Sequence, residues 1–283
     1  MKKFVVVILL IAFSASLLTS CKKKKDEGDP PALPPIEAMA IDFSNFELTT
    51  KTDFLILDQK GIEDSNWRFA ATVAMLWKGI IVATLTVPAT AFQIAVNKTP
   101  VYIGDKTWEW NYDANVTIDQ VSMTYKARLT GQIRTTDVLW KMYIAKEGTG
   151  GFAEFLWFEG TSKLDGTGGQ WILNHSPQYQ EPVLQIDWTK GGTSTGMVKY
   201  TYIRTLNNDR ETDPFKNSYI EYGLTTNELN ANYTIHYYNG QQFSDIDVEW
   251  STTGKYGRVR CEDFFPDSEW YCWDENYINI ICP

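Results

Sequence analysis

"WEWNYDANVTIDQVSMTYKARLTGQI", Trp108–Ile133, repeats with a period of two residues. Trp108, Trp110, Tyr112, Ala114, Val116 and Ile118 alternate with Glu109, Asn111, Asp113, Asn115 and Thr117. Val121, Met123, Tyr125, Ala127, Leu129 and Ile133 then alternate with Ser122, Thr124, Lys126, Arg128, Thr130 and Gln132. Only Asp119-Gln120 separates the runs. Side chains of a strand point alternately to its two faces, so each run has a dry face and a wet face. The short connection makes the pair an antiparallel hairpin.

The same pattern runs on toward the C-terminus. Val138, Trp140, Met142 and Ile144 share a face, and Leu184, Ile186 and Trp188 alternate with Gln185 and Asp187. Ala231, Tyr233, Ile235 and Tyr237 oppose Asn232, Thr234 and His236, and Ile246, Val248 and Trp250 oppose Asp245, Asp247 and Glu249. Turn residues punctuate the runs at 148–151, 166–169, 191–192, 207–209, Asn239-Gly240 and Thr253-Gly254. The spacing predicts about ten or eleven strands in an up-and-down antiparallel sheet.

Upstream lies one long helical stretch, Ser65–Asn97, with Asp64 or Ser65 placed to cap it. On a 3.6-residue wheel, Arg68, Thr72, Met75, Gly79, Thr86, Thr90, Gln93 and Asn97 form one narrow stripe, and nearly everything else is apolar. The stripe keeps its register across Pro88, which predicts one helix kinked or broken there. A helix apolar over most of its circumference is either surrounded by protein or in a membrane. Lys78 and Pro88 within the stretch favour the buried reading over a span. The expected fold is therefore mainly β: an antiparallel curled sheet or wide barrel wrapped around an apolar helix. In architecture alone this is similar to the half-barrel proteins that carry lipids or lipoproteins across the periplasm.

The N-terminus reads differently. Lys2 and Lys3 precede an apolar run from Phe4 to Leu18, too short to span comfortably and ordered like a secretory signal. Leu18-Thr19-Ser20-Cys21 resembles the lipobox of bacterial lipoproteins. That resemblance implies cleavage before Cys21, a diacylglycerol on its sulfur and an acyl chain (palmitate, for example) on its new amine. Two or more chains anchor firmly where one does so only marginally. Lys22–Lys25, Asp26, Glu27 and Asp29, then Pro30, Pro31, Pro34 and Pro35, read as an extended tether. The expected organisation is a removed signal peptide over 1–20, a lipidated cysteine with a disordered tether over 21–35, and one β-rich domain over 36–283.

Composition excludes some functions. The formal net charge of −9 and the absence of a basic run beyond the tether argue against nucleic acid as a partner. No nucleophile elbow, phosphate loop, dinucleotide fingerprint or zincin pattern is present, and no metal or cofactor is expected. His175 and His236, the only histidines, read as solvated. The Asp245, Asp247 and Glu249 row reads as a wet sheet face, and Asn207–Asp213 as a turn. Cys261, Cys272 and Cys282 allow one disulfide and one spare thiol in an exported chain. The pairing favoured is Cys272–Cys282; Cys261–Cys272 and Cys261–Cys282 are the alternatives. Trp270, Tyr271 and Trp273, beside acids and near this staple, are the candidate rim for recognition.

Two functions fit these features. One is a non-enzymatic envelope lipoprotein that binds an apolar ligand such as lipid inside the curled sheet. The other is a surface-displayed module that binds glycan or protein, with the helix as a filled core. Both place the chain in a bacterial cell envelope, held at the outer membrane through the lipid on Cys21.

Overall fold

The computed structural model describes residues 28–47, 65–118, 120–191 and 194–283. Cys21 and the signal segment lie outside the described residues. Fourteen strands form one sheet in chain order. They are β1 (Val101–Gly104), β2 (Thr107–Ile118), β3 (Val121–Ile133), β4 (Asp137–Lys146), β5 (Phe152–Lys163), β6 (Gly168–Asn174) and β7 (Pro182–Gly191). The meander continues as β8 (Ser194–Tyr202), β9 (Tyr219–Leu224), β10 (Ala231–Tyr238), β11 (Phe243–Trp250), β12 (Gly257–Arg260), β13 (Tyr271–Trp273) and β14 (Asn279–Ile280). Every neighbouring pair is antiparallel. The β2–β3 hairpin pairs without interruption from Thr107↔Gln132 to Ile118↔Val121, as the alternation predicts.

Two expectations are corrected. The sheet is open and not strongly curled; it does not close into a barrel. Closure needs the first and last strands to pair along their length. Here β1 has four residues and β14 two, and β1 covers only the start of β2. The strand count also exceeds ten or eleven. β1, β13 and β14 are too short for alternation to register, and β6 begins at Gly168-Gly169, which reads as a turn.

Those glycines have a packing role. On the dry face, Trp108 pairs with Gly131, Gly131 with Trp140, Trp140 with Gly160 and Gly160 with Trp171. Indole and glycine thus alternate across five strands, β2 to β6. A Cβ on Gly131 would stand 2.6 Å from the Trp140 ring, and one on Gly160 2.6 Å from the Trp171 ring. Gly169 sits likewise under Trp188, and Gly257 between Trp250 and Trp273. Each glycine leaves a shallow place in the sheet that a neighbouring indole fills. Trp140 and Trp171 are fully buried as a result.

The dry face is covered by a second layer in two parts. The first is helix α1, Asn66–Ala95, whose N-cap Ser65 accepts a hydrogen bond from the Arg68 N–H. Asn66 Nδ2 donates to the Cys272 carbonyl at 2.8 Å, and Phe69 stacks on Phe264, so the helix starts beside β13. Near its other end, Tyr112 of β2 donates to the Ala91 carbonyl at 2.6 Å, and Phe92 packs on Phe158 and Trp171. The helix is long and apolar enough to cross a membrane, yet it packs one side along the sheet. It also runs unbroken through Pro88, which removes only the bond to the Thr84 carbonyl.

The second part of the layer is residues 28–47. Pro31 and Pro34 are buried, and the Pro31 ring lies against Gly131. A turn of 3-10 helix, Ile36–Met39, rests on β7 and β8. Tyr233 donates to the Asp42 carbonyl, and Phe46 contacts Trp250 and Trp273. The packed domain therefore begins near residue 31, not at 36. Proline fixes φ, which suits an extended segment lying on a sheet as well as a solvated tether.

The wet face carries cross-strand ion pairs, among them Arg128 with Glu154, Arg258 with Glu249 and Arg260 with Asp247. They are exposed or half-buried, so they orient side chains more than they stabilise the sheet. On α1, Gly79 faces open space, and a Cβ there would meet nothing within 4 Å. Gly79→Ala is expected to raise stability by about 1 kcal/mol through helix propensity alone, read as a higher melting temperature.

Candidate functional site

Between the two parts of the covering layer lies an apolar groove of about 360 Å³. One wall is Ile36, Met39, Ile41 and Phe43; the other is Ile81, Val82, Leu85 and Ala89 of α1. Thr86, Thr90 and Gln93, from the small and polar stripe of the helix, also line it. The Thr86 hydroxyl donates back to the Val82 carbonyl at 2.6 Å, which turns its methyl outward. Lys78 lies at one end, paired with Glu47 at 2.5 Å, and the exposed amide of Gln93 at the other. Fifteen helical residues separate these ends, about 22 Å. The site has largely apolar walls and few polar groups, the usual chemistry of a pocket for an apolar ligand.

This location differs from the one the sequence suggested. The space under the sheet is filled, because Trp140, Trp171, Trp188, Tyr200 and Tyr233 are all fully buried. The groove lies on the flank of α1 instead. The helix wall was visible as a stripe. The facing wall was hidden because residues 36–43 follow a proline run, although Ile36, Met39 and Phe43 recur at helical spacing.

The three aromatic residues of the proposed rim are not brought together. Trp273 is buried in the core, with its Nε1 donating to the Lys255 carbonyl at 2.9 Å. Tyr271 stacks on Phe265 at 4.0 Å. Trp270 alone stands on the wet side, with the guanidinium groups of Arg258 and Arg260 4.3 and 4.7 Å from its ring centre. Those cations occupy ring surface that a sugar would need. Cys272 and Cys282 form the disulfide, with 5.2 Å between their Cα atoms. Cys261 is free and buried, and burial pushes its thiol pKa up, which keeps it unreactive.

The acidic row is engaged in pairs: Asp245 with His236, Asp247 with Arg260 and Glu249 with Arg258. In the 207–213 loop, Asn207 Oδ1 accepts from the backbone N–H groups of Asp209 and Glu211. Asp213 is buried and accepts from the Tyr202 hydroxyl at 2.8 Å. The histidines are less solvated than their turns and faces suggest. His236 lies between the rings of Tyr219 and Phe243.

His175 has its Nδ1 buried with no partner among the described residues. Burial, with a smaller push from Arg204, lowers its pKa below the ordinary value near 6.5, against the opposing pull of Glu181. The unfolded chain therefore takes up the proton first as pH falls. The contribution of His175 to stability is fully present above about pH 6.5 and shrinks below it. Thermal melts between pH 7.5 and 5 should show a decline that His175→Gln removes. An unchanged slope in the variant would contradict this environment for the ring.

Comparison with known families, curated proteins and solved structures finds no match for this chain.

Proposed function

We propose that this is a non-enzymatic lipoprotein of the bacterial envelope, anchored at the outer membrane through Cys21, which holds the acyl chain of a lipid in the groove beside α1. The observation that carries the reading is the groove itself: a long, largely apolar channel with a lysine and an amide at its ends and only the hydroxyls of Thr86 and Thr90 between them. A lipid acyl chain reaches roughly half of the ~30 Å hydrocarbon core of a bilayer, which fits within the distance from Lys78 to Gln93.

The test uses full-length protein extracted from membranes and weighed by native and by denaturing mass spectrometry. A lipid lost only on denaturation supports the reading, and Leu85→Trp, which fills the groove, should abolish it. Equal masses in both measurements, apart from covalent lipid, would sink the proposal. The anchor is tested separately, since Cys21→Ala should release the protein from membranes.

A further inference from the structure

The outward side of α1 is an apolar surface. Leu76 is 66 % exposed, Val82 51 % and Ile80 41 %, and Gly79 and Ala83 lie open among them. Thr72 and Thr86 border this patch, and their hydroxyls turn back onto the Arg68 and Val82 carbonyls at 2.8 and 2.6 Å. Thr84, next to it, turns its hydroxyl back onto the Ile80 carbonyl at 2.9 Å. A soluble surface seldom sets large aliphatic side chains side by side without a partner.

We infer that this face of α1 lies on the surface of a lipid bilayer, with Leu76, Ile80 and Val82 entering the interfacial region. Three observations favour a bilayer over other occupants. First, residues 65–98 contain no carboxylate, although the whole chain is acidic, and they carry Arg68 and Lys98 at the two ends of the helix; the third cation, Lys78, is paired with Glu47. Cations at the ends of an apolar helix face can extend to headgroups, whereas a carboxylate there would have to be desolvated. Second, the described chain begins on the same face of the sheet as α1. Gly28 is three residues from Pro31, which lies against β3, and α1 also packs on β3. Cys21 is seven residues further back, so the attachment point of a lipid on it lies no more than about 25 Å from Gly28. Third, Val82 belongs both to the patch and to the wall of the groove. A bilayer against the patch would thus lie at the mouth of the groove, giving an acyl chain a short path between them. The second and third points rest on the anchor and the groove proposed above; the first does not.

The experiment incorporates full-length protein into phosphatidylethanolamine–phosphatidylglycerol vesicles that contain a lipid with a photoreactive diazirine on its acyl chain. After irradiation, labelled residues are located by mass spectrometry. Label at Leu76, Ile80 and Val82 is expected, and it should fall to background in a Leu76→Asp/Ile80→Asp chain whose melting temperature is unchanged. Label confined to residues 21–35 would overturn the docking face while leaving the anchor intact. Label only on Met39, Ile81 and Leu85 would support the groove and overturn the face. Helix-to-helix cross-links between two copies in vesicles, with no lipid label on the patch, would assign it to self-association and overturn the proposal as well.

Discussion

Gly160→Val should destabilise the protein by about 3 kcal/mol or more, although valine is among the best strand formers. A Cβ at Gly160 would stand 2.1 Å from the Gln170 carbonyl oxygen and 2.6 Å from the Trp171 ring. The first contact is with backbone, so no side-chain rotation relieves it. The strands β5 and β6 would have to separate, and Trp171 would lose the place that buries it. Urea unfolding followed by circular dichroism measures the effect. A neutral or stabilised variant would mean that Gly160 is not in contact with its neighbours as described.

Phe92→Ala should cost a similar amount, about 3–5 kcal/mol. Phe92 is completely buried, with ring centres 5.7 Å from Trp171 and 6.1 Å from Phe158. It joins the C-terminal half of α1 to the middle of the sheet, so truncation leaves a cavity between two layers that cannot easily collapse. Leu76→Ala, on the exposed side of the same helix, is the control and should change stability by less than about 0.5 kcal/mol. Comparable losses for both variants would overturn the orientation given to α1.

Much of this architecture can be read in the residues, for definable reasons. The β2–β3 hairpin is legible because one face is dry over its whole length, which sets the register of every pair. The helix is legible from its cap and its apolar run. β6 is not, because Gly168 and Gly169 look like a turn until Trp188 is seen lying over Gly169. The start of the domain is misread because Pro31 and Pro34 give the same local signal whether they face water or a sheet. The groove could be read only by half: its walls lie some forty residues apart in the chain, and only tertiary packing sets them face to face. The rim fails for a simpler reason. Trp270, Tyr271 and Trp273 are close in sequence, but strand alternation sends Tyr271 and Trp273 into different surroundings from Trp270.

The alternating indoles of Trp108, Trp140 and Trp171 also give the molecule an internal gauge. Each stands two strands from the next, roughly 9.6 Å away. If β4 slid by one residue against β3, Trp140 would swing to the wet face and leave Gly131 bare. Its emission would then move to the red, and the difference between the native chain, with its eleven tryptophans, and a Trp140→Phe chain isolates that signal during refolding.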